Sequence, residues 1–177
     1  MTAALILLAA QGFLGAFDTL RYHERYAHLP TAPGARLELR LHAARDFLYA
    51  VIFCTLGWIE WTGVFAWVFV GLLATEIGIT LWDFIEEDVR RRLPAGERVM
   101  HTIMGIVYGA FLAYLLPELF TWSRRPTAFT QADHRPLSWL LMLMGVGVFA
   151  SGVRDLAASL SRASRQLPIE PSPQRSF

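Results

Sequence analysis

The sequence predicts an all-α polytopic membrane protein of five transmembrane helices, the first four forming a pseudo-twofold bundle of two repeated hairpins. Three observations predict it. Hydrophobic residues make up 54% of the chain and charged residues only 18%, a balance suited to a bilayer rather than to water. Five apolar segments each approach the roughly 17–25 residues needed to span a bilayer. The third is a pattern that occurs twice: Glu38-x3-His42-x6-Tyr49 returns 59 residues later as Glu97-x3-His101-x6-Tyr108. What precedes the two copies also matches. Asp18 stands ahead of Leu29-Pro30 and Asp83 ahead of Leu93-Pro94, with Phe17 or Trp82 before the acid and Gln11 or Glu76 seven residues earlier. The units are therefore a hairpin over 1–60, a second over 64–122, a fifth helix over 137–160 and a cytoplasmic, disordered tail over 161–177.

The elements follow in order. Thr2 to Phe17 is almost wholly apolar, without a basic start or a small-x-small cleavage site. It reads as a retained transmembrane helix rather than a signal peptide. It continues past Arg21–Tyr26 and stops near Leu29-Pro30, because the residue before proline is pushed out of helical geometry. Helix two starts near Arg36, charged at first and apolar from Phe47 to Trp58. Trp61-Thr62-Gly63 is a turn, and the tryptophans around it suit a membrane–water interface. Helix three runs from Val64 to Val89 and ends acidic; helix four runs from Glu97 to about Phe120. Residues 123–136, with Pro126 and Pro136, form a polar loop before helix five. In that helix Gly145, Gly147, Ser151 and Gly152 give a small-residue face for close packing, within the bundle or between copies of the chain.

Arginine sets the orientation. The connection between helices one and two carries Arg21, Arg25, Arg36, Arg40 and Arg45, and that between three and four carries Arg90, Arg91, Arg92 and Arg98. By the positive-inside rule both lie in the cytoplasm, with the N-terminus outside and the C-terminus inside a bacterial-type plasma membrane. Arg90–Arg92 then face anionic headgroups. The net charge of +1, with no basic run interleaved with aromatics, excludes a nucleic-acid partner. Cys54 is alone, which excludes a disulfide framework and a thiolate metal site.

This topology brings Asp18, His42, Asp83 and His101 to one depth, about 24 Å from the outer face at 1.5 Å per residue. An acid and an imidazole four residues apart share one side of a helix, and Tyr49 and Tyr108 fall on that side too. Charged groups at such depth cost roughly 2.5–3.5 kcal/mol each, so they face inward and are paired or bound to something. On helix three Glu76, Thr80, Asp83 and Glu87 line up at helical spacing. Carboxylate oxygens with imidazole nitrogens suit iron, manganese or zinc. The candidate metal ligands are Asp18, Glu38, His42, Glu76, Asp83, Glu87, Glu97 and His101, with His23 and Glu24 as further candidates; Tyr49 and Tyr108 are the candidate catalytic residues.

The arrangement resembles the ferritin-like di-iron carboxylate bundles, in which two helices give an acid each and two give an acid plus a nearby histidine. In plan it is similar to the alternative oxidases, membrane-bound proteins of that class. The resemblance covers helices one to four. It places Glu38 and Glu97 as the acids of the acid–histidine motifs, His42 and His101 as their histidines, and Asp18 and Asp83 as the lone acids. The spacing here is E-x3-H where the family has E-x2-H, and the lone acids are Asp rather than Glu. The resemblance implies two metal ions, iron first with zinc or manganese as alternatives. It also implies oxidoreduction of a lipid or quinone-like hydrophobic substrate near the cytoplasmic leaflet. Four other readings use the same residues. One is a zinc-dependent hydrolase, one a metal or proton carrier with Glu76 and Gln11 on its path, and one a b-type haem protein held by His42 and His101. The last is a structural network in which Asp18 and Asp83 neutralise Arg45 and Arg98.

Overall fold

The computed structural model describes residues 1–32 and 34–163, without the side chains of residues 162 and 163. Most of the predicted tail lies outside them. Helix α1 spans Thr2–Asp18 and continues as one π-helical stretch, Thr19–Glu24; a short 3-10 turn follows at Leu29–Thr31. Helix α2 spans Arg36–Leu56, α3 Val64–Arg90, α4 Ala95–Ser123 and α5 Pro136–Ala163. Pro94 caps α4 at its start, and the helix runs through Pro117 to Ser123.

The chain is all-α in its architecture, with one small addition. Strands β1 (Ile59–Thr62) and β2 (Ala128–Gln131) form an antiparallel ribbon in which Trp61 pairs with Phe129. The sequence reading has a turn and a loop here. The ribbon forms because both connections emerge at the same end of the bundle and can share backbone hydrogen bonds. Gly63 enables it with a φ of 62°, and Thr62 Oγ1 donates to the Pro126 and Ala128 carbonyls. Ser138 Oγ donates to the Gly57 carbonyl at 2.5 Å, tying α5 to the end of α2.

The helices close a ring in the order α1, α4, α3, α2, α5 and back to α1. The fifth helix is therefore a wall of the bundle and not an addition to a four-helix core. Gly145 and Gly152 let it lie close against α2, meeting Cys54 and Phe53 at one level and Asp46, Phe47 and Ala43 at the other. Four described stretches, Thr2–Glu24, Val64–Arg90, Ala95–Ser123 and Pro136–Ser161, are long and apolar enough to cross a membrane. This corrects the expectation of five. Helix α2 falls short because Arg36, Glu38, Arg40, Arg45 and Asp46 crowd its first half. Its flanks against α3 and α5 bury Leu39, His42, Ala43, Ile52 and Phe53, so the other helices shelter it.

The interior divides into two halves. Toward the ribbon it is apolar: Leu5, Leu8, Ile52, Phe69, Phe111 and Leu115 are fully buried in one cluster. Toward the other end it is filled by acids, histidines and arginines. Outside, Phe13, Leu81, Ile85, Ile106 and Leu143 are exposed, an apolar surface of the kind lipid covers.

The fold places the 25–35 and 91–94 connections at one end and the ribbon at the other. In a Cys54→Ala background, Thr31→Cys and Ala95→Cys should react with a membrane-impermeant maleimide from the same side, and Asp133→Cys from the opposite side. Reaction of Thr31→Cys and Ala95→Cys from different sides would refute this arrangement of the helices.

Candidate metal centre

Every helix except α5 sends a chelating side chain to one point at the polar end. Helix α3 supplies Asp83 and Glu87, one turn apart, and Glu87 is the hub. Its Oε1 lies 3.4 Å from His23 Nε2 and 3.7 Å from His42 Nε2, while Oε2 lies 3.8 Å from His101 Nδ1. Two groups of ligand atoms result, each close enough to hold an ion: His23, Glu87, Glu97 and His101, and Glu38, His42 and Glu87. Glu87 belongs to both.

Around this hub, Asp18 Oδ2 is 3.4 Å from both His23 Nε2 and His101 Nε2. Asp83 Oδ2 is 3.0 Å from His42 Nε2. The rings are fixed by packing: His23 stacks on His42 at 4.5 Å between centroids, and His101 on Phe84 at 4.7 Å. Helix α5 contributes from behind, with Asp155 Oδ2 3.9 Å from the far nitrogen of His42. Asp18, His23, Glu38, His42, Asp83, Glu87 and Glu97 are all buried.

The test of fit is what these atoms lack. Asp18 Oδ1, His23 Nε2, Glu38 Oε1, His42 Nε2, Asp83 Oδ1 and Glu87 Oε2 are buried and complete no hydrogen bond. Such atoms are normally satisfied. Carboxylate oxygens and imidazole nitrogens aimed into one space can all serve as ligand atoms, and a bound cation would satisfy them together. The set of oxygen and nitrogen donors fits iron, manganese or zinc.

The sequence-predicted residues divide accordingly. Asp18, Glu38, His42, Asp83, Glu87, Glu97, His101 and His23 come together. Glu24 does not: it points outward and pairs with Arg154. Glu76, taken as a metal ligand, lies deeper and accepts a hydrogen bond from Thr80 Oγ1 at 2.7 Å. Tyr49 and Tyr108 meet each other at 6.1 Å beside Glu76, away from the ligand groups. The haem alternative fails on geometry, because His42 and His101 converge on one carboxylate and leave no gap for a porphyrin.

His23 owes its position to the π-helical stretch. In an α-helix it would point about 140° away from Asp18. The wider π turn brings it over Asp18. Arg91 is the other residue that sequence reasoning misplaced. It turns inward from the end of α3 and grips Glu97 with two hydrogen bonds of 2.6 and 2.8 Å. It also reaches Glu87 at 3.5 Å and Glu38 at 3.7 Å. Burial by itself would lower its pKa; the Glu97 hydrogen bonds and the three carboxylates outweigh that and raise it, so Arg91 stays charged. Arg90 likewise faces Glu38, at 3.7 Å, and Arg45 pairs with Asp83 at 3.0 Å. Arg98, which the structural-network reading sets with Arg45 against the two aspartates, is exposed.

A cavity of about 670 Å³ adjoins the cluster. Asp18, Arg45, Asp46 and Phe84 line it on the cluster side with Glu24, Ser151 and Arg154; Gln11, Tyr49, Glu76 and Tyr108 line it in the depth of the bundle, and the rest of the wall is mostly apolar residues of α1, α3, α4 and α5. No family model, curated protein or solved structure matches the chain.

Arg91→Met should destabilise the metal-free protein by about 3–5 kcal/mol, since it strands buried carboxylates. Adding iron(II) or zinc(II) should recover most of the lost Tm if these carboxylates are ligands. A Tm unmoved by metal would mark Arg91 as the core of a purely structural charge network.

Proposed function

We propose that the cluster holds two transition-metal ions, iron first with zinc or manganese as alternatives, and that the protein is a membrane oxidoreductase. The observation that carries this is Glu87, one buried carboxylate shared by two groups of ligand atoms. A shared carboxylate is what a two-metal site needs. His23, Glu97 and His101 would serve one ion and Glu38 and His42 the other; Asp18 and Asp83, beside the imidazoles, complete the set. Of these, Asp18, Glu38 and His42 and Asp83, Glu97 and His101 are the residues of the sequence repeat; His23 and Glu87 stand outside it. When bound, the ions would supply Lewis acidity and, for iron, redox chemistry with oxygen. The protein's own groups do the rest. Arg91 and Arg45 hold Glu97 and Asp83 in place. The stacked rings fix the histidines, and the helices exclude water.

The substrate would be a lipid or quinone-like molecule that reaches Asp18 through the cavity. The membrane is the bacterial-type plasma membrane, and arginine puts the cluster at its cytoplasmic side. A zinc-dependent hydrolase is the second reading, because His23, Glu97 and His101 make a two-histidine, one-carboxylate set of the kind catalytic zinc uses. There a metal-bound water would be the nucleophile.

Elemental analysis of protein purified without chelator should find close to two transition-metal ions per chain. Glu87→Ala should lose both, and His23→Ala, His42→Ala and His101→Ala should each lose part of the content. Arg98→Ala should lose none. Iron whose optical spectrum changes with oxygen would support the oxidoreductase, and zinc alone the hydrolase. Metal-free wild-type protein, or full occupancy in Glu87→Ala, would overturn the metal reading.

A further inference from the structure

We propose that Gln11, Tyr49, Glu76 and Tyr108 form a head-group pocket that takes a neutral, membrane-soluble molecule with a hydroxyl on an apolar body. This deepens the proposed function by naming its substrate class, and it rests on that reading for the molecule's role as substrate.

These residues are not explained by the cluster. Gln11 and Glu76 lie seven residues before Asp18 and Asp83, about 10 Å along their helices. They are nevertheless buried, at 5% and 1% exposure, in the part of the bundle that is otherwise apolar. Thr80 satisfies one oxygen of Glu76. The other oxygen, the Gln11 carbonyl oxygen and the Tyr108 hydroxyl complete no hydrogen bond of full geometry, although Tyr108 stands within reach of Glu76 and Tyr49 within reach of both Gln11 and Glu76. All three residues line the same cavity. Unpaired polar atoms in such surroundings are costly unless something completes them.

The orphan atoms specify what completes them. Two are acceptors, and the third is a hydroxyl that can donate. A ligand hydroxyl donates to Glu76 or Gln11 and accepts from Tyr108. An ester or ketone has nothing to donate to the carboxylate. A fatty acid sets a second carboxylate against Glu76. The rest of the cavity suits an apolar body, with Ile77, Leu112, Met144 and Val148 among its walls. Gly105, Gly109 and Gly147 also line it; each is exposed, with open space where a Cβ would stand. Side-chain-free positions on α4 and α5 thus leave the cavity in reach of the lipid-facing surface. Because Asp18 lines the same space, a molecule anchored at Glu76 extends to the metal centre.

The test uses the full chain in phosphatidylcholine nanodiscs and a hexadecanol probe bearing a photoreactive diazirine. Labelling should map to cavity residues such as Ile77, Leu112 and Val148. Excess hexadecanol or a long-chain alkylphenol should compete, and the better competitor tells whether the hydroxyl sits on a chain or on a ring. Palmitic acid and hexadecane should not compete. Glu76→Leu should weaken labelling about tenfold, the effect of losing one hydrogen bond. Tyr108→Phe should weaken it less, and Glu76→Gln, which keeps an acceptor oxygen, should retain it. Labelling unchanged in Glu76→Leu, or equal competition by palmitic acid, would overturn the pocket. Metal content measured on the same samples separates the two ideas. Absent labelling in protein with two metals per chain would defeat the pocket alone. Labelling in metal-free protein would defeat the metal reading and leave the pocket standing.

Discussion

The constraint on which the structure depends is the burial of five carboxylates, Asp18, Glu38, Asp83, Glu87 and Glu97, at one end of an apolar helical bundle. An isolated ionised carboxylate cannot be left in such a place. Much of the polar half of the fold can be read as compensation. Arg45, Arg90 and Arg91 enter from α2 and from the end of α3 to meet Asp83, Glu38 and Glu97. The π-helical stretch delivers His23. Helix α2, too charged to face lipid, is walled in by α3 and α5. The ring of five helices is thus the number needed to surround a polar helix and its partners.

The acids and histidines were legible because α-helical spacing and hairpin topology together fix depth and face. Glu38 with His42 and Glu97 with His101 are one turn apart, and Asp18 and Asp83 fall beside the opposite half's histidines, as matched depth requires. Three things were not legible. His23 depends on a local π turn, which changes the angular position of one residue without a mark in the apolar pattern. Arg91 lies where the chain leaves α3, and a φ of −148° turns the backbone there; no periodicity reports that direction. The β1–β2 ribbon pairs segments that are far apart in sequence and too short to show alternation. The number of spans failed for a different reason. Length suggested that α2 crosses a membrane, but a helix surrounded by others answers to its neighbours and not to lipid.

The division of polar groups along α3 separates two tasks on one helix. Asp83 and Glu87 serve the cluster, while Glu76 and Thr80, two turns deeper, serve the cavity. The same division holds on α1, where Asp18 faces the cluster and Gln11 the cavity. The cavity lies between the two polar levels and touches both. A bundle stabilised by its apolar core alone would have no need for either. The apolar half near the ribbon supplies that core, with Phe69, Phe111 and Leu115 closing the other end.

Charge distinguishes a metal centre from a salt-bridge network. Five carboxylates face three guanidiniums, which leaves two negative charges in a closed space. A structural network can remove them by protonating histidines or the carboxylates themselves: burial raises the pKa of Glu38, and although burial alone would lower that of His42, Asp83 outweighs it and raises it to about 10. Protonation would give each imidazole a second N–H to donate, and the carboxylate oxygens nearby would accept it. His42 Nε2 lies 3.0 Å from Asp83 Oδ2, close enough for an ion pair, whereas His23 Nε2 lies 3.4 Å from Asp18 Oδ2 and completes no hydrogen bond. Metal cations would neutralise the excess charge and satisfy several carboxylate oxygens at once, whereas each proton would answer only one group. That is why Glu87, reached from both sides by imidazoles and still with an unsatisfied oxygen, is the residue on which the metal reading turns.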